Sequence, residues 1–134
     1  MAHFAELDSN NRVINVLVVN NSDIGNLSFP ESEQVGINYL NSFLPVANYK
    51  QTSYNGNFRG NYAGIGYTFL PEWGTHGGFR PESPYPSWIL NNTNLQWEAP
   101  VPLPSDSDTV PYLWDEETVS WIRMVNAIKP GVIG

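Results

Sequence analysis

The chain has no cysteine, so neither a disulfide framework nor a thiolate metal site can support its fold. Its two histidines, His3 and His76, do not form a two-histidine motif at metal-binding spacing. No apolar run reaches the length of a membrane span, and the first eight residues lack the basic and then apolar profile of a signal peptide. We therefore expect a soluble protein that is made and folded in a cytoplasm.

Basic residues are also scarce, with 6 Lys and Arg against 13 Asp and Glu, which gives a formal net charge of −7. This charge repels phosphate backbones and anionic lipid headgroups, so we expect neither nucleic acid nor a membrane as partner. Charged residues make up only 14% of the chain, while aromatic residues make up 13%. Much of the surface is therefore expected to be polar without charge, and such a surface is cheaper to desolvate in an interface.

Short apolar segments separated by turn-forming residues predict a mainly β fold. The clearest hairpin joins residues 4–7 to the β-branched run at 12–19 through the Asx-rich turn at 8–11. The run at 12–19 is so uniformly apolar that we expect both of its faces to be covered.

One helix is predicted over residues 31–44, with Ser28 as its N-cap and Pro45 ending it. Proline falls in its first turn, and two glutamates lie near its N-terminus, where the helix dipole favours negative charge. An apolar stripe at helical spacing is expected to pack on the sheet. It consists of Val35, Tyr39, Leu40, Phe43 and Leu44.

The rest of the chain is expected to be built from short strands and turns. Aromatic residues alternate with Asn-Gly turn signals over 48–70, whereas 71–86 predicts an irregular excursion without ladder hydrogen bonds. Residues 86–97 and 111–121 form an approximate duplication, and each copy predicts a hairpin whose tryptophans meet across the strands. A proline-rich spacer at 98–104 separates them. We predict one β-rich domain over 1–121 and an apolar tail, 122–134, that makes assembly contacts.

No residue pattern predicts catalysis, a cofactor or a metal site. His76 lies in a glycine-rich turn, and an enzyme hypothesis requires it to sit in a cleft beside a carboxylate. Glu72 and Glu82 are the carboxylates that could pair across a groove in a glycosidase, but carboxylates are too common for this pattern to be specific. The acidic pair Asp106 and Asp108 lacks the glycine and distal glutamate of a calcium loop, so a solvated linker is the simpler interpretation.

Five tryptophans in so short a chain permit two interpretations. They can form the core or a subunit contact of a small β protein, or they can stack sugar rings on an exposed platform. We expect core or contact roles for most of them and keep glycan binding as the alternative. The predicted interaction surface consists of Tyr62, Tyr67, Trp73, His76, Trp88, Trp97, Trp114 and Trp121.

Several segments resemble small virion-associated proteins of tailed phages that infect marine cyanobacteria and similar bacteria. The resemblance is carried by the segments at 50–59, 62–67, 97–102 and 114–118 together with Trp121, and it covers most of the chain up to about residue 122. The sequence departs from that group at 71–76 and in the apolar tail after Trp121.

The resemblance implies a structural component of a virion, which is synthesised in the host cytoplasm. The leading expectation is a capsid decoration or cement protein that binds the major capsid protein and is not an enzyme. A tail or fibre-associated protein and a carbohydrate-binding module on the particle surface are the alternatives. The expected partners are other virion proteins or further copies of the chain, with a glycan in the last case.

Overall fold

Short strands dominate the structure. The computed structural model describes residues 1–124, and the predicted mainly β fold with one α-helix is confirmed. The elements are β1 (Ala2–Leu7), β2 (Val13–Val19), a 3-10 helix (Asn21–Ile24), α1 (Glu31–Phe43), β3 (Asn48–Thr52), β4 (Thr68–Leu70), β5 (Gly78–Arg80), β6 (Ile89–Asn91), β7 (Gln96–Glu98), β8 (Tyr112–Asp115) and β9 (Ser120–Arg123). Within residues 1–124, no helix has the length and apolar character needed to cross a membrane.

The chain divides into two units. The first unit comprises Met1–Glu82 and Asn92–Gln96, and the second comprises Ser83–Asn91 and the described residues from Trp97 onward. Strand β9 extends beyond residue 121, the predicted end of the domain. Residues 125–134 of the predicted tail lie outside the described part of the chain.

The centre of the first unit is an antiparallel sheet in the order β2–β1–β3. β1 and β2 form the predicted N-terminal hairpin, and the side chain of Asp8 holds its turn. One Asp8 carboxylate oxygen accepts hydrogen bonds from the backbone amides of Asn10, at 2.8 Å, and Arg12, at 2.9 Å. Asn11 has φ 63°, a left-handed conformation that asparagine tolerates better than most residues. Local turn chemistry therefore fixes this hairpin.

Buried side chains lie on both faces of the sheet, because successive residues of β1 point to opposite sides. One cluster contains Ala2, Phe4, Val19, Ile24, Leu40 and Tyr49. The other contains Ala5, Leu7, Val13, Ala63, Phe69 and Phe79. The core of the first unit is therefore centred on β1.

The prediction that both faces of β2 are covered is wrong. β2 is an edge strand of this sheet, and Ile14 and Val18 are about half exposed. Of its residues only Val13 and Val19, at the two ends, are buried. The β-branched run reflects the preference of such residues for pleated backbone rather than full burial.

Helix α1 has nearly the predicted span, but its N-cap and its packing face differ from the prediction. Pro30 occupies the N-cap position without a side-chain hydrogen bond, and Ser28 contributes its backbone carbonyl to the amide of Ser32 at 2.9 Å. The helix begins beyond Pro30, so the Ser28 side chain lies too early in the chain to cap it. The buried helix residues are Ser32, Gly36 and Leu40.

The predicted apolar stripe of the helix is only partly buried. Val35 is 37% exposed and Phe43 is more exposed still, whereas Leu40 is buried. The four-residue spacing of the buried residues places Gly36 at the point of closest approach to the sheet. A Cβ atom at Gly36 would overlap the Phe4 ring, lying 2.7 Å from Cε1. Glycine therefore allows the helix backbone to pack directly on Phe4.

A buried arginine connects three segments of the first unit. The guanidinium of Arg59 forms a two-pronged ion pair with Glu33, and its Nη2–Oε1 distance is 3.1 Å. It also donates to the backbone carbonyls of Gln51, at 2.9 Å, and His76, at 2.8 Å. The Phe29 ring lies 4.9 Å from its Cζ atom. Every donor used here is charged, so these hydrogen bonds are stronger than neutral ones.

The prediction that residues 71–86 lack ladder hydrogen bonds is also wrong, because Gly78–Arg80 forms strand β5. It pairs with β4, with Phe69 opposite Phe79 and a distance of 5.2 Å between their ring centroids. Both phenylalanines belong to the buried cluster, so burial of this aromatic pair stabilises the short hairpin despite the surrounding prolines and glycines.

Candidate interaction surface

Four of the predicted interaction residues lie in the first unit. Tyr62 is half-buried and meets His3 and Tyr54 in edge contacts, at 5.5 and 5.2 Å between ring centroids. Tyr67 is half-buried against the cluster on the β4–β5 side of the sheet. Burial lowers the pKa of His3, which favours its neutral form within this aromatic group.

Trp73 and His76 belong to the loop between β4 and β5. The indole of Trp73 donates a hydrogen bond to the carbonyl of Asn92 at 2.6 Å and covers Gly78. His76 is exposed, and its ring edge packs on Phe29 at 5.0 Å while its carbonyl accepts from Arg59. The contacts described here for Trp73 and His76 connect parts of the first unit.

The other four predicted residues, all tryptophans, lie in the second unit, where three of them form one cluster. Trp114 and Trp121 are directly opposite each other on β8 and β9, with ring centroids 5.2 Å apart. The predicted cross-strand pair is therefore confirmed for this hairpin. Trp88 precedes β6 and packs edge-on against Trp114, at 5.8 Å, and Trp121, at 6.2 Å. Tyr85 completes the cluster, which we call the indole cluster.

The two predicted C-terminal hairpins are present as β6–β7 and β8–β9. Trp97 and Trp121 occupy equivalent strands, and the residue two positions before each has a left-handed backbone: Leu95 with φ 57° and Val119 with φ 49°. For a β-branched residue this conformation is rare and costs about 1–3 kcal/mol. The shared conformation supports the duplication seen in the sequence. In the first hairpin, however, Trp88 lies outside the ladder, so the predicted cross-strand pair is wrong there.

Glu116 anchors the indole cluster. Its carboxylate accepts hydrogen bonds from the Trp114 indole at 2.9 Å, the Ser87 hydroxyl at 2.7 Å and the Ser87 amide at 3.1 Å. The hydrogen bond from Trp114, followed by that from the Ser87 side chain, lowers the pKa of Glu116 below its ordinary value of 4.5. The carboxylate thus connects the β8–β9 turn to the segment that carries Trp88.

We predict that the second unit loses stability as the pH falls below 4.5. The folded state binds fewer protons at Glu116 than the unfolded state, so the contribution of this group is present above 4.5 and decreases as pH falls through the lowered pKa. Urea unfolding followed by tryptophan fluorescence measures this, because the second unit holds four of the five tryptophans.

Replacing Glu116 with glutamine should reduce that pH dependence, whereas the same change at its exposed neighbour Glu117 should leave it intact. Equal pH profiles for Glu116→Gln and the unchanged protein would contradict the assignment.

Unlike the first unit, the second unit has no buried core among its described residues. None of its residues up to Met124 is fully buried, and all four of its tryptophans are only half-buried. Its exposed large apolar residues are Tyr85, Ile89, Val101, Leu103, Leu113, Val119 and Ile122. Two-stranded hairpins are marginally stable unless further elements cover an apolar face. The second unit thus presents an apolar surface that a partner can cover.

The face of β8–β9 opposite the indole cluster carries two of these exposed residues. Leu113 and Ile122 are directly opposite each other and are 57% and 44% exposed. On the turn side, their neighbours on the same face are the polar residues Asp115 and Ser120. On the other side lie Pro111 and Met124, which are joined by a backbone hydrogen bond of 2.9 Å. This outer face therefore has an exposed apolar pair with polar residues on the side of the turn.

A groove also runs along the second unit, with a volume of about 520 Å³. Its lining consists of Trp88, Glu98, Ala99, Val101, Pro102, Leu103 and Trp121. The Trp121 indole donates to the carbonyl of Val101 at 2.8 Å. The Nε1 atom of Trp88 is buried and has no hydrogen-bond acceptor among residues 1–124. We call this feature the indole groove.

Two of the acidic residues that were candidates for catalysis or metal binding pair with other side chains. Glu82 pairs with Arg12 at 2.7 Å in the first unit. Asp106 accepts a hydrogen bond from the Tyr112 hydroxyl at 2.7 Å in the second unit. Residues 1–124 contain no group of three or more His, Asp or Glu side chains that could hold a metal ion.

Comparison with known proteins identifies no relative: no family model, no curated protein and no solved structure matches the chain.

Proposed function

We propose that the protein is an accessory virion component that attaches to a particle lattice through its second unit. The observation that carries this proposal is the absence of a buried residue in that unit up to Met124, together with the exposed Leu113–Ile122 pair. Apolar surface left in water at this density is typical of a surface that assembly covers. The resemblance to small virion-associated phage proteins supports the virion as the assembly.

Attachment as a decoration or cement protein on the major capsid protein is the leading form of the proposal. The low charge content and the aromatic residues suit an interface of standard size with a few anchoring side chains. A position in the tail or on a fibre is the alternative form. Copy number in purified particles distinguishes them, because a capsid lattice offers hundreds of equivalent sites and a tail only a few.

Replacing Leu113 with lysine tests the proposal through binding to purified particles that lack the protein. We expect at least about a tenfold loss of affinity, because the outer face would then bury an unpaired charge. The matched control is Val18→Lys in the first unit, since Val18 is 58% exposed and Leu113 is 57% exposed. The control should bind like the unchanged protein. Full decoration by the Leu113→Lys variant would reject the proposed role of this face.

A further inference from the structure

The indole groove has few polar groups for its size. Two indoles, one proline (Pro102) and three aliphatic side chains form most of the wall, and Glu98 is the one charged residue among the described lining residues. The Glu98 carboxylate already accepts a hydrogen bond from Asn91 at 3.0 Å. A sugar bound here would leave most of its hydroxyl groups without partners, which is costly. The groove therefore favours an occupant with a largely apolar surface.

The chain itself shows what one of these indoles binds. Trp121 donates its hydrogen bond to the carbonyl of Val101, a residue with proline on both sides. Prolines restrict the backbone to extended conformations and leave carbonyls free to accept. Proline-rich segments are bound in aromatic-lined grooves in other proteins. One wall of the indole groove is thus a proline-containing segment held by a tryptophan.

A second indole lines the same groove. Trp88 lines it 6.2 Å from Trp121, measured between ring centroids, and its buried N–H has no acceptor within residues 1–124. Because this N–H is covered by the protein, Trp88 contributes apolar ring surface to the groove and no accessible donor.

The net charge of the second unit determines whether a basic or an acidic occupant is favoured in the groove. Residues 83–124 contain six acidic side chains and one basic side chain, Arg123. Such a field attracts a basic segment and repels an acidic one.

We propose that the indole groove binds an extended, proline-containing, basic peptide segment of a partner protein. This deepens the proposed function and rests on it, because the segment would belong to the lattice that the second unit contacts. Pro102, Leu103 and Trp88 provide the apolar wall, and Glu98 lies where a basic side chain can pair with it.

Titration of the full-length protein with a short synthetic peptide tests the groove. The probe is acetyl-Lys-Pro-Val-Pro-Leu-Pro-Lys-amide, which copies the segment at 100–104 and lacks tryptophan. We expect a saturable change in tryptophan fluorescence, and at least about tenfold weaker binding when glycine replaces the prolines, because the flexible peptide loses more entropy. A peptide with glutamate in place of lysine should also bind more weakly.

Leu103→Lys places a positive charge in the groove wall and should weaken binding of the basic probe at least about tenfold, while Leu113→Lys on the outer face should not change it. Equal affinity for the proline and glycine peptides, or no saturable change, would overturn the inference. Saturation by a neutral hexasaccharide in place of the peptide would overturn it in favour of a glycan site.

The two proposals fail in different ways. If the peptide does not bind but Leu113→Lys loses particle binding, the groove inference alone is rejected. If Leu113→Lys decorates particles fully while the peptide binds with the expected selectivity, the role of the outer face is rejected and the groove remains.

Discussion

Replacing Arg59 with alanine is expected to lower the free energy of unfolding of the first unit by about 3–5 kcal/mol, the cost of breaking a buried ion pair. The side chains of Arg59 and Glu33 are only 5% and 17% exposed, and Glu33 would lose its charged partner. Two backbone carbonyls, of Gln51 and His76, would lose their donor at the same time. Urea unfolding monitored by circular dichroism measures the loss.

The same substitution at Arg12 is the matched control. Arg12 pairs with Glu82 at 2.7 Å, but both side chains are more than half exposed. Exposed ion pairs contribute about 0–1 kcal/mol, so Arg12→Ala should scarcely change the unfolding curve. If Arg59→Ala and Arg12→Ala have equal effects, the Arg59 network does not stabilise the fold as its geometry indicates.

Gly36→Ala is expected to destabilise the first unit by about 2 kcal/mol, within the range for overpacking a core. Helix propensity alone predicts the opposite sign, a gain of about 1 kcal/mol for glycine to alanine in a helix interior. The overlap of the new methyl with the fully buried Phe4 ring decides the result. Thermal or urea unfolding gives the sign directly.

Two further variants test whether the effect of Gly36→Ala comes from its contact with Phe4. Val35→Ala, one residue earlier on a more exposed position, should change stability by no more than about 0.5 kcal/mol. Phe4→Leu should recover part of the loss when combined with Gly36→Ala, because the smaller side chain makes room for the methyl. A stabilising Gly36→Ala would show that the helix does not sit as closely on Phe4 as described.

The elements that could be predicted from the sequence are those that local chemistry determines. The Asp8 turn, the start of the helix after Pro30 and the hairpin with Trp114 opposite Trp121 each depend on neighbouring residues. The exposed face of β2 could not be predicted, because a β-branched run indicates strand but does not distinguish a central from an edge position.

Interactions between residues far apart in the chain could not be predicted either, because a local sequence pattern does not show which distant segments come together. Arg59 and Glu33 are 26 residues apart, and neither has a sequence signal that distinguishes it from a surface charge. Strand β5 was missed because its burial depends on Phe69 from another segment. In the second unit, the sequence predicted that tryptophans pair across the strands of each hairpin. It did not predict that Trp88 lies outside its own hairpin and packs against Trp114 and Trp121.

The assignment of Asn92–Gln96 to the first unit has a consequence for dividing the protein by truncation. Leu95 is 0% exposed, its Cδ1 atom fills the space beside Gly60 and Gly78, and its carbonyl accepts from Asn61 at 3.0 Å. A fragment ending at residue 82 would lack this side chain and expose the surface it covers. The shortest N-terminal fragment that retains the whole first unit must therefore continue through residue 96, even though residues 83–91 belong to the other unit.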